Sequence, residues 1–342
     1  MTRLIARLGL LGILLSLATS LPAVELEDVA TSTRQWTGIA VAPDGRIFVN
    51  FPRWSETVPV SVGELLADGT VVPYPDGRRQ RWQRGDDGRE VFVCVQSVHI
   101  DSAGRLWILD PANPRFRGVI TGAPKLLQVD LATDTVVRTY RFDATVALPD
   151  SYLNDLRVDV ATGTVFITDS GRGALVVLDL DSGVARRVLA GHPATQAEDI
   201  EVVIDGVPFT STVHADGIAL DAAGGWLYWQ ALTGHTLYRL PTAHLRDPAR
   251  DDAALAAAIE TVAESGVADG LLWTPEGVLV SGLEEGAIKR VSPDGTVSVL
   301  VADERIVWPD SFAQGPDGVY FTTAQIHLGP EPPTPYRVLR LR

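Results

Sequence analysis

The sequence predicts an all-β fold, a six-bladed β-propeller, on three observations. One strand–turn–strand signature recurs six times, a glycine stands at a near-constant offset in each copy, and successive copies start 41 to 62 residues apart. That spacing is the range of four-stranded blades carrying loop insertions. Each copy opens on a polar residue, a mostly small residue and an apolar one: Thr37-Gly38-Ile39, Gln96-Ser97-Val98, Asn154-Asp155-Leu156, Asp216-Gly217-Ile218, Asp269-Gly270-Leu271 and Asp310-Ser311-Phe312. Eight residues after the first position stand Gly45, Gly104, Gly224, Gly277 and Gly318, with Gly163 one residue late in the third copy. A β-rich run follows every turn, from Ile47-Phe48-Val49 in the first copy to Val319-Tyr320-Phe321 in the last. Glycine supplies the positive φ that a tight hairpin requires, so each copy reads as two paired strands. A β-sandwich has no reason to repeat this signature six times.

The elements follow in chain order. Residues 1–23 carry Arg3 and Arg7, an apolar run from Leu8 to Leu17, and small residues around Ala18 to Ala23. This is the order of a secretory signal peptide, and the run is too short for the roughly 20 residues a spanning helix needs. Cleavage near Ser20 or Ala23 would leave one propeller domain over 24–342, exported to the periplasm or secreted, with no membrane span. Later hairpins extend most copies, as in Leu175–Leu178, the Asp181-Ser182-Gly183 turn and the return to Leu189. Between Arg246 and Gly266, Pro248 and Asp251-Asp252 precede Leu255, Ile259 and Val262. Acids at the start and glycine at the end predict a short helix outside the fourth blade, handing over to a strand near Ile259–Ala263. The sixth copy has room for only one more strand, Tyr336–Leu341. The segment 24–33 is therefore expected to supply its outer strand and close the ring.

Composition narrows the partners. Lys plus Arg total 29 against 43 Asp plus Glu, a formal charge of −14. Such a chain gains nothing from releasing counterions at phosphates, so nucleic acid is not an expected partner. Cys94 is the single cysteine, and no Cys/His set has zinc spacing. No G-x-S-x-G elbow occurs, and Ser170 in Asp169-Ser170-Gly171-Arg172-Gly173 reads as a loop residue.

The repeat register points to a site. The third position is apolar in all six copies and belongs between blades. The first is polar in all six, with carboxylates at Asp216, Asp269 and Asp310 beside Asn154, Gln96 and Thr37. At the start of the innermost strands these residues would ring one mouth of the central channel. Gln96, Asn154, Asp155, Asp216, Asp269 and Asp310 are therefore the candidate ligand-binding residues for a small molecule. Carboxylates converging there need a cation, donors or protons. Asn154, Asp216, Asp269 and Asp310 offer hard oxygens suited to Ca²⁺ or another divalent cation. The bland alternative is turn chemistry at strand starts. Asp155, His99 and Arg157 interrupt the small residues near the axis and are the candidate catalytic groups. His99 would carry protons, and Arg157 would hold an anion or form a tunnel-filling pair with Asp155 or Asp159.

In this register the chain resembles the yellow/major royal jelly protein family, in its bacterial branch. The resemblance lies in Tyr152-Leu153-Asn154-Asp155-Leu156-Arg157-Val158-Asp159, Thr168-Asp169-Ser170, Asp216-Gly217-Ile218-Ala219-Leu220, Leu237–Thr242, Ala268-Asp269-Gly270, Trp308-Pro309-Asp310-Ser311-Phe312 and Thr322–His327. It implies a secreted six-bladed propeller whose cavity takes a small ligand such as an aromatic amine. Some relatives act as dopachrome-tautomerase-like isomerases, and others have storage or structural roles. It also implies that Asn154, Asp155, Asp216, Asp269 and Asp310 line the cavity. The gluconolactonase/senescence-marker propellers are similar in fold and imply the alternative of a metal-dependent lactone hydrolase. Asn154 and Asp216 match that family's ligands, but Thr37 stands where it has a first-blade Glu. A non-catalytic interaction propeller is the third reading.

Overall fold

A computed structural model describes residues 24–329 and 331–342, so the expected signal peptide at 1–23 lies outside the described residues. Six four-stranded antiparallel sheets form the ring. Their innermost strands are Ile39–Val41, Ser97–Ile100, Leu153–Asp159, Ala215–Leu220, Leu271–Thr274 and Pro309–Gly315. The six repeat glycines all have positive φ, between 62° and 151°, at the hairpin after each innermost strand. Gly277 and Gly318 are also crowded. A Cβ would lie 2.2 Å from the Val291 carbonyl oxygen at Gly277, and 2.2 Å from that of Leu341 at Gly318.

Blade packing follows from the third repeat position. Ile39, Val98, Leu156, Ile218, Leu271 and Phe312 are all buried, and each joins an apolar cluster with the preceding blade. Leu156 packs with Trp107 and Leu109 of blade 2, and Ile218 with Phe166 and Leu175 of blade 3. Phe312 packs with Ile288 of blade 5, and Ile39 with Ala313 and Tyr320 of blade 6, which completes the circle. Each such burial stabilises by roughly 1.5–3 kcal/mol, so the repeat is a ring of equivalent seams.

The ring closes as the strand count requires. Leu26–Ser32 pairs antiparallel with Tyr336–Leu341, Leu26 opposite Leu341, and forms the outer strand of blade 6. Ion pairs reinforce the seam between the two ends of the chain, including Arg337 Nη1 to Asp28 Oδ1 at 2.5 Å and Arg305 Nη1 to Asp28 Oδ2 at 2.8 Å. Outside blade 4 a short helical segment hands over to a strand, as the sequence pattern predicts. The helical segment makes two single turns, Thr242–Arg246 and Asp252–Ala256. Asp251 caps the second by accepting from the Ala254 amide at 2.9 Å. Leu255 is buried against blades 3 and 4, while Ile259 leads into the fourth strand of the blade, Glu260–Glu264. Gly266 thus follows a strand and does not end the helix.

Connections sort by face. Because the innermost strand starts at one mouth, links from the second to the third strand, and links between blades, lie on that same face. Six of the seven long links belong to these two classes, 51–61, 74–96, 111–124, 142–152, 189–214 and 324–335, while 242–259, between the third and fourth strands of blade 4, lies on the opposite face. The link 189–214 carries its own hairpin, Val202–Ile204 with Val207–Phe209. We call this face upper; it is where side chains can be brought over the channel.

Candidate functional site

Irregularities at the repeat's first two positions build the upper mouth. Strand pairing slips between Leu153 and Leu156, between Ala215 and Ile218, and between Pro309 and Phe312. Each slip is a bulge over the first two repeat positions, and a bulge re-aims side chains. Second-strand hydroxyls satisfy the freed amides. Thr168 Oγ1 accepts from Asp155 N at 3.2 Å, and Thr322 Oγ1 accepts from Ser311 N at 3.3 Å. Ser281 Oγ accepts from Asp269 N and Gly270 N at 2.8 and 2.9 Å. Thr168 Oγ1 also donates to the Asp216 carbonyl at 2.6 Å, locking blade 3 to blade 4. The second position is small because the next blade is close: Cβ atoms at Gly217 and Gly270 would lie 2.2 and 2.0 Å from the carbonyl oxygens of Asp269 and Asp310.

Gln96, Asn154, Asp216, Asp269 and Asp310 line one cavity of about 440 Å³ on the upper face, a size suited to a small organic molecule. All five are at least nine-tenths buried. Thr37 is not part of this lining. It lies in the seam between blades 1 and 2, donating to the Gln96 carbonyl at 3.3 Å and accepting from Asn50 Nδ2 at 2.9 Å. Asp155 also stands apart, in the channel below, where Oδ1 accepts from Ser97 Oγ at 2.8 Å. His99 and Arg157 line a separate cavity at the opposite, lower mouth. Arg157 pairs with neither Asp155 nor Asp159. It donates to the carbonyls of Leu156, in its own blade, and Leu271, in blade 5, at 2.6 and 2.7 Å, while Asp159 meets Arg246 at 3.3 Å. The guanidinium therefore crosses part of the channel, and its charge acts on Asp155 on one side and on His99 on the other.

Burial shapes the electrostatics of the upper cavity. Desolvation pushes Asp216 well above the usual carboxylate range, with the charges of Asp269, Asp155 and Asp310 adding to it and the Asn154 hydrogen bond opposing. Asp269 is pushed up to about 8, again by desolvation, against the bond it accepts from Trp308 Nε1 at 2.7 Å. Asp310 is likewise raised by desolvation and then by Asp269 and Asp155, against the bond from Ser311 Oγ at 3.0 Å. Among the described residues no lysine, arginine or histidine lines this cavity. Nor do three His, Cys, Asp or Glu side chains meet at metal-ligand spacing among the described residues. The carboxylates of Asp216, Asp269 and Asp310 share the chamber and act on one another through their charges.

Aromatic walls are what the repeat register missed. Trp54, Phe116 and Tyr152 form one side, with ring centroids 5.7 Å apart for Trp54–Phe116 and 4.7 Å for Phe116–Tyr152. Trp308 and Phe209 form the other, 5.0 Å apart edge to face. Tyr152 and Trp308 sit within quoted motifs, but Trp54, Phe116 and Phe209 stand on upper-face insertions without a repeat position. Tyr152 is fixed by accepting from Trp54 Nε1 at 2.7 Å and donating to Gln96 Oε1 at 2.8 Å.

Comparison with known proteins is consistent along the chain. The family described as major royal jelly protein matches residues 93–298, more than half of the sequence. The yellow protein of Drosophila subobscura is 28% identical over 153 residues, covering 41% of this chain and 26% of that protein. The yellow protein of Drosophila melanogaster is 24% identical over 264 residues, covering 68% of this chain and 47% of its own length. This chain thus spans between a quarter and a half of these curated relatives. Among solved structures, a gluconolactonase from Xanthomonas campestris superposes with a TM-score of 0.59 at 15% identity, over 95% of this chain and 92% of the other. A virginiamycin B lyase from Staphylococcus aureus does so with a TM-score of 0.52 at 12% identity, over 88% and 82%. At such identities these two likenesses show the fold alone.

Proposed function

Since the chain belongs to the major royal jelly protein family, we propose that it uses the upper cavity to bind a small organic cation with a flat apolar body, such as an aromatic amine. One observation carries this reading: three buried carboxylates face a chamber that has aromatic walls and no basic side chain among the described residues of its lining. A bound ammonium group would relieve the repulsion among Asp216, Asp269 and Asp310. Faces of Trp54, Tyr152 and Trp308 suit both the ring and the charge of such a ligand. Gln96 and Asn154 add polar contacts at the rim. Export through the residues 1–23 is part of the same proposal, and sequencing the amino terminus of the mature protein tests it. No helix of the described residues is long and apolar enough to cross a membrane.

The same carboxylates favour a second reading, an isomerase. An acid whose pKa lies near 8 can give up and take back a proton near neutral pH. Asp269 beside Asp216 could remove a proton from one carbon of the ligand and return one to another, with no net change of oxidation state. A lactone hydrolase of the metal-dependent type finds less support, because Thr37, where that family has a first-blade Glu, lies in a blade seam and not in the cavity.

Calorimetric titration with tyramine, an aromatic amine, tests the binding reading. Binding to the wild type, weakened at least tenfold in Asp216→Asn, supports it. Equal binding of tyramine and its neutral analogue 4-ethylphenol refutes it.

A further inference from the structure

A second chamber of about 450 Å³ opens at the lower mouth, on the face of the glycine turns. Five blades contribute to it: Ile39 and Val41 of blade 1, His99 and Ile100 of blade 2, Arg157 of blade 3, Leu272 of blade 5, and Phe312 and Gln314 of blade 6. Its chemistry is the reverse of the upper cavity. Arg157 brings a cation that no carboxylate pairs within salt-bridge distance among the described residues. Two of its five N–H bonds are occupied by the carbonyls of Leu156 and Leu271.

The one acid among the described residues of the lining is Asp101, and it is already engaged. Its Oδ1 accepts from the amides of Ala103 and Arg105 at 2.9 and 3.0 Å, and its Oδ2 accepts from Trp107 Nε1 at 2.8 Å. Desolvation, helped by Arg157, holds His99 well below its usual pKa, so it brings a neutral imidazole rather than a second charge. What remains is a guanidinium whose nearest charge partner, Asp155, stands outside the lining and beyond salt-bridge distance, a neutral ring and an apolar wall of Ile39, Leu272 and Phe312. A guanidinium matches a carboxylate with two parallel N–H bonds.

We propose that the lower chamber is a separate binding site for a small organic monocarboxylate, its carboxylate on Arg157 and its apolar body against Ile39, Leu272 and Phe312. The proposal does not depend on the upper cavity. Both ends of the channel would then be ligand sites of opposite polarity, separated by the Arg157 side chain and Asp155.

Benzoate is the probe, titrated calorimetrically into the full chain at constant ionic strength, with benzyl alcohol as its neutral analogue. Benzoate is expected to bind at least tenfold more tightly than benzyl alcohol, and Arg157→Gln is expected to remove that margin. Leu272→Trp, which fills the chamber and keeps the guanidinium, should also abolish benzoate binding, and it serves if Arg157→Gln does not fold. Asp269→Asn, in the upper cavity, should leave benzoate affinity unchanged within twofold. Equal affinity for acid and alcohol, undiminished benzoate binding in either lower-chamber variant, or no benzoate heat in the wild type overturns the proposal. None of these outcomes bears on tyramine binding above.

Discussion

Asp269→Asn should make the protein more stable at pH 8 and no more stable at pH 4. The Asp269 carboxyl is pushed up to about 8 from its ordinary 3.8, mainly by desolvation. In the unfolded chain it ionises near its ordinary value, so between pH 4 and pH 8 the unfolded state sheds a proton that the folded state keeps. Unfolded chains therefore bind fewer protons over that window, and stability falls as pH rises through it. Four pH units at about 1.4 kcal/mol each set an upper bound of roughly 6 kcal/mol, which relaxation and coupling to Asp216 reduce to a few. Asn keeps the side-chain oxygen that accepts from Trp308 Nε1 and removes the charge. Its cost is small and its benefit appears only above pH 5. A gain of about 2 kcal/mol corresponds to roughly 4–8 °C in a domain of 150–250 residues and somewhat less here. Thermal melts of wild type and variant at pH 4, 6 and 8 measure it. A variant less stable than wild type at pH 8, or a difference that does not change with pH, would refute the reasoning. Such a trade of stability for a charged cavity is common at functional sites.

Other expectations follow from single contacts. Trp308→Phe keeps the aromatic wall but removes a charge-assisted bond to Asp269, worth about 1.5–3 kcal/mol. Asp269 should titrate higher and tyramine affinity at pH 7 should fall at least tenfold, recovering as pH is raised towards 9. Gly217→Ala places a methyl 2.2 Å from the Asp269 carbonyl oxygen, so urea unfolding should show a loss of about 1–3 kcal/mol. Deleting residues 24–33 removes the outer strand of blade 6 and its partners on Arg337 and Arg305. Its melting temperature should drop by more than 10 °C, and an unchanged value contradicts ring closure by that strand.

The fold was legible because a propeller writes its symmetry into the chain. Six glycines at one offset and six apolar third positions are demanded by six equivalent turns and six equivalent seams. Closure by residues 26–32 was legible by strand arithmetic. The short helix and the strand after it were legible from Asp251-Asp252 and the apolar Leu255, Ile259 and Val262, but Gly266 was not, since it follows the strand Glu260–Glu264 and ends no helix. The polar ring was legible for Gln96, Asn154, Asp216, Asp269 and Asp310 as a common cavity lining. Thr37 obeys the same register yet turns into a seam, because Asn50 reaches its hydroxyl. Repeat position places a Cα, and the neighbouring blade decides where the side chain goes. Asp155, His99 and Arg157 lie along one channel, with the Arg157 charge reaching both of the others, while only His99 and Arg157 line the lower chamber. Trp54, Phe116 and Phe209 had no register at all, since they stand on insertions whose only regularity is the face they share.

The most direct measurement is a crystal structure of the protein with tyramine bound. The ammonium nitrogen should lie within hydrogen-bond distance of Asp216, Asp269 or Asp310, with the ring between the Tyr152 and Trp308 walls. Tyramine seated elsewhere on the molecule, with the upper cavity holding only water, would contradict the account.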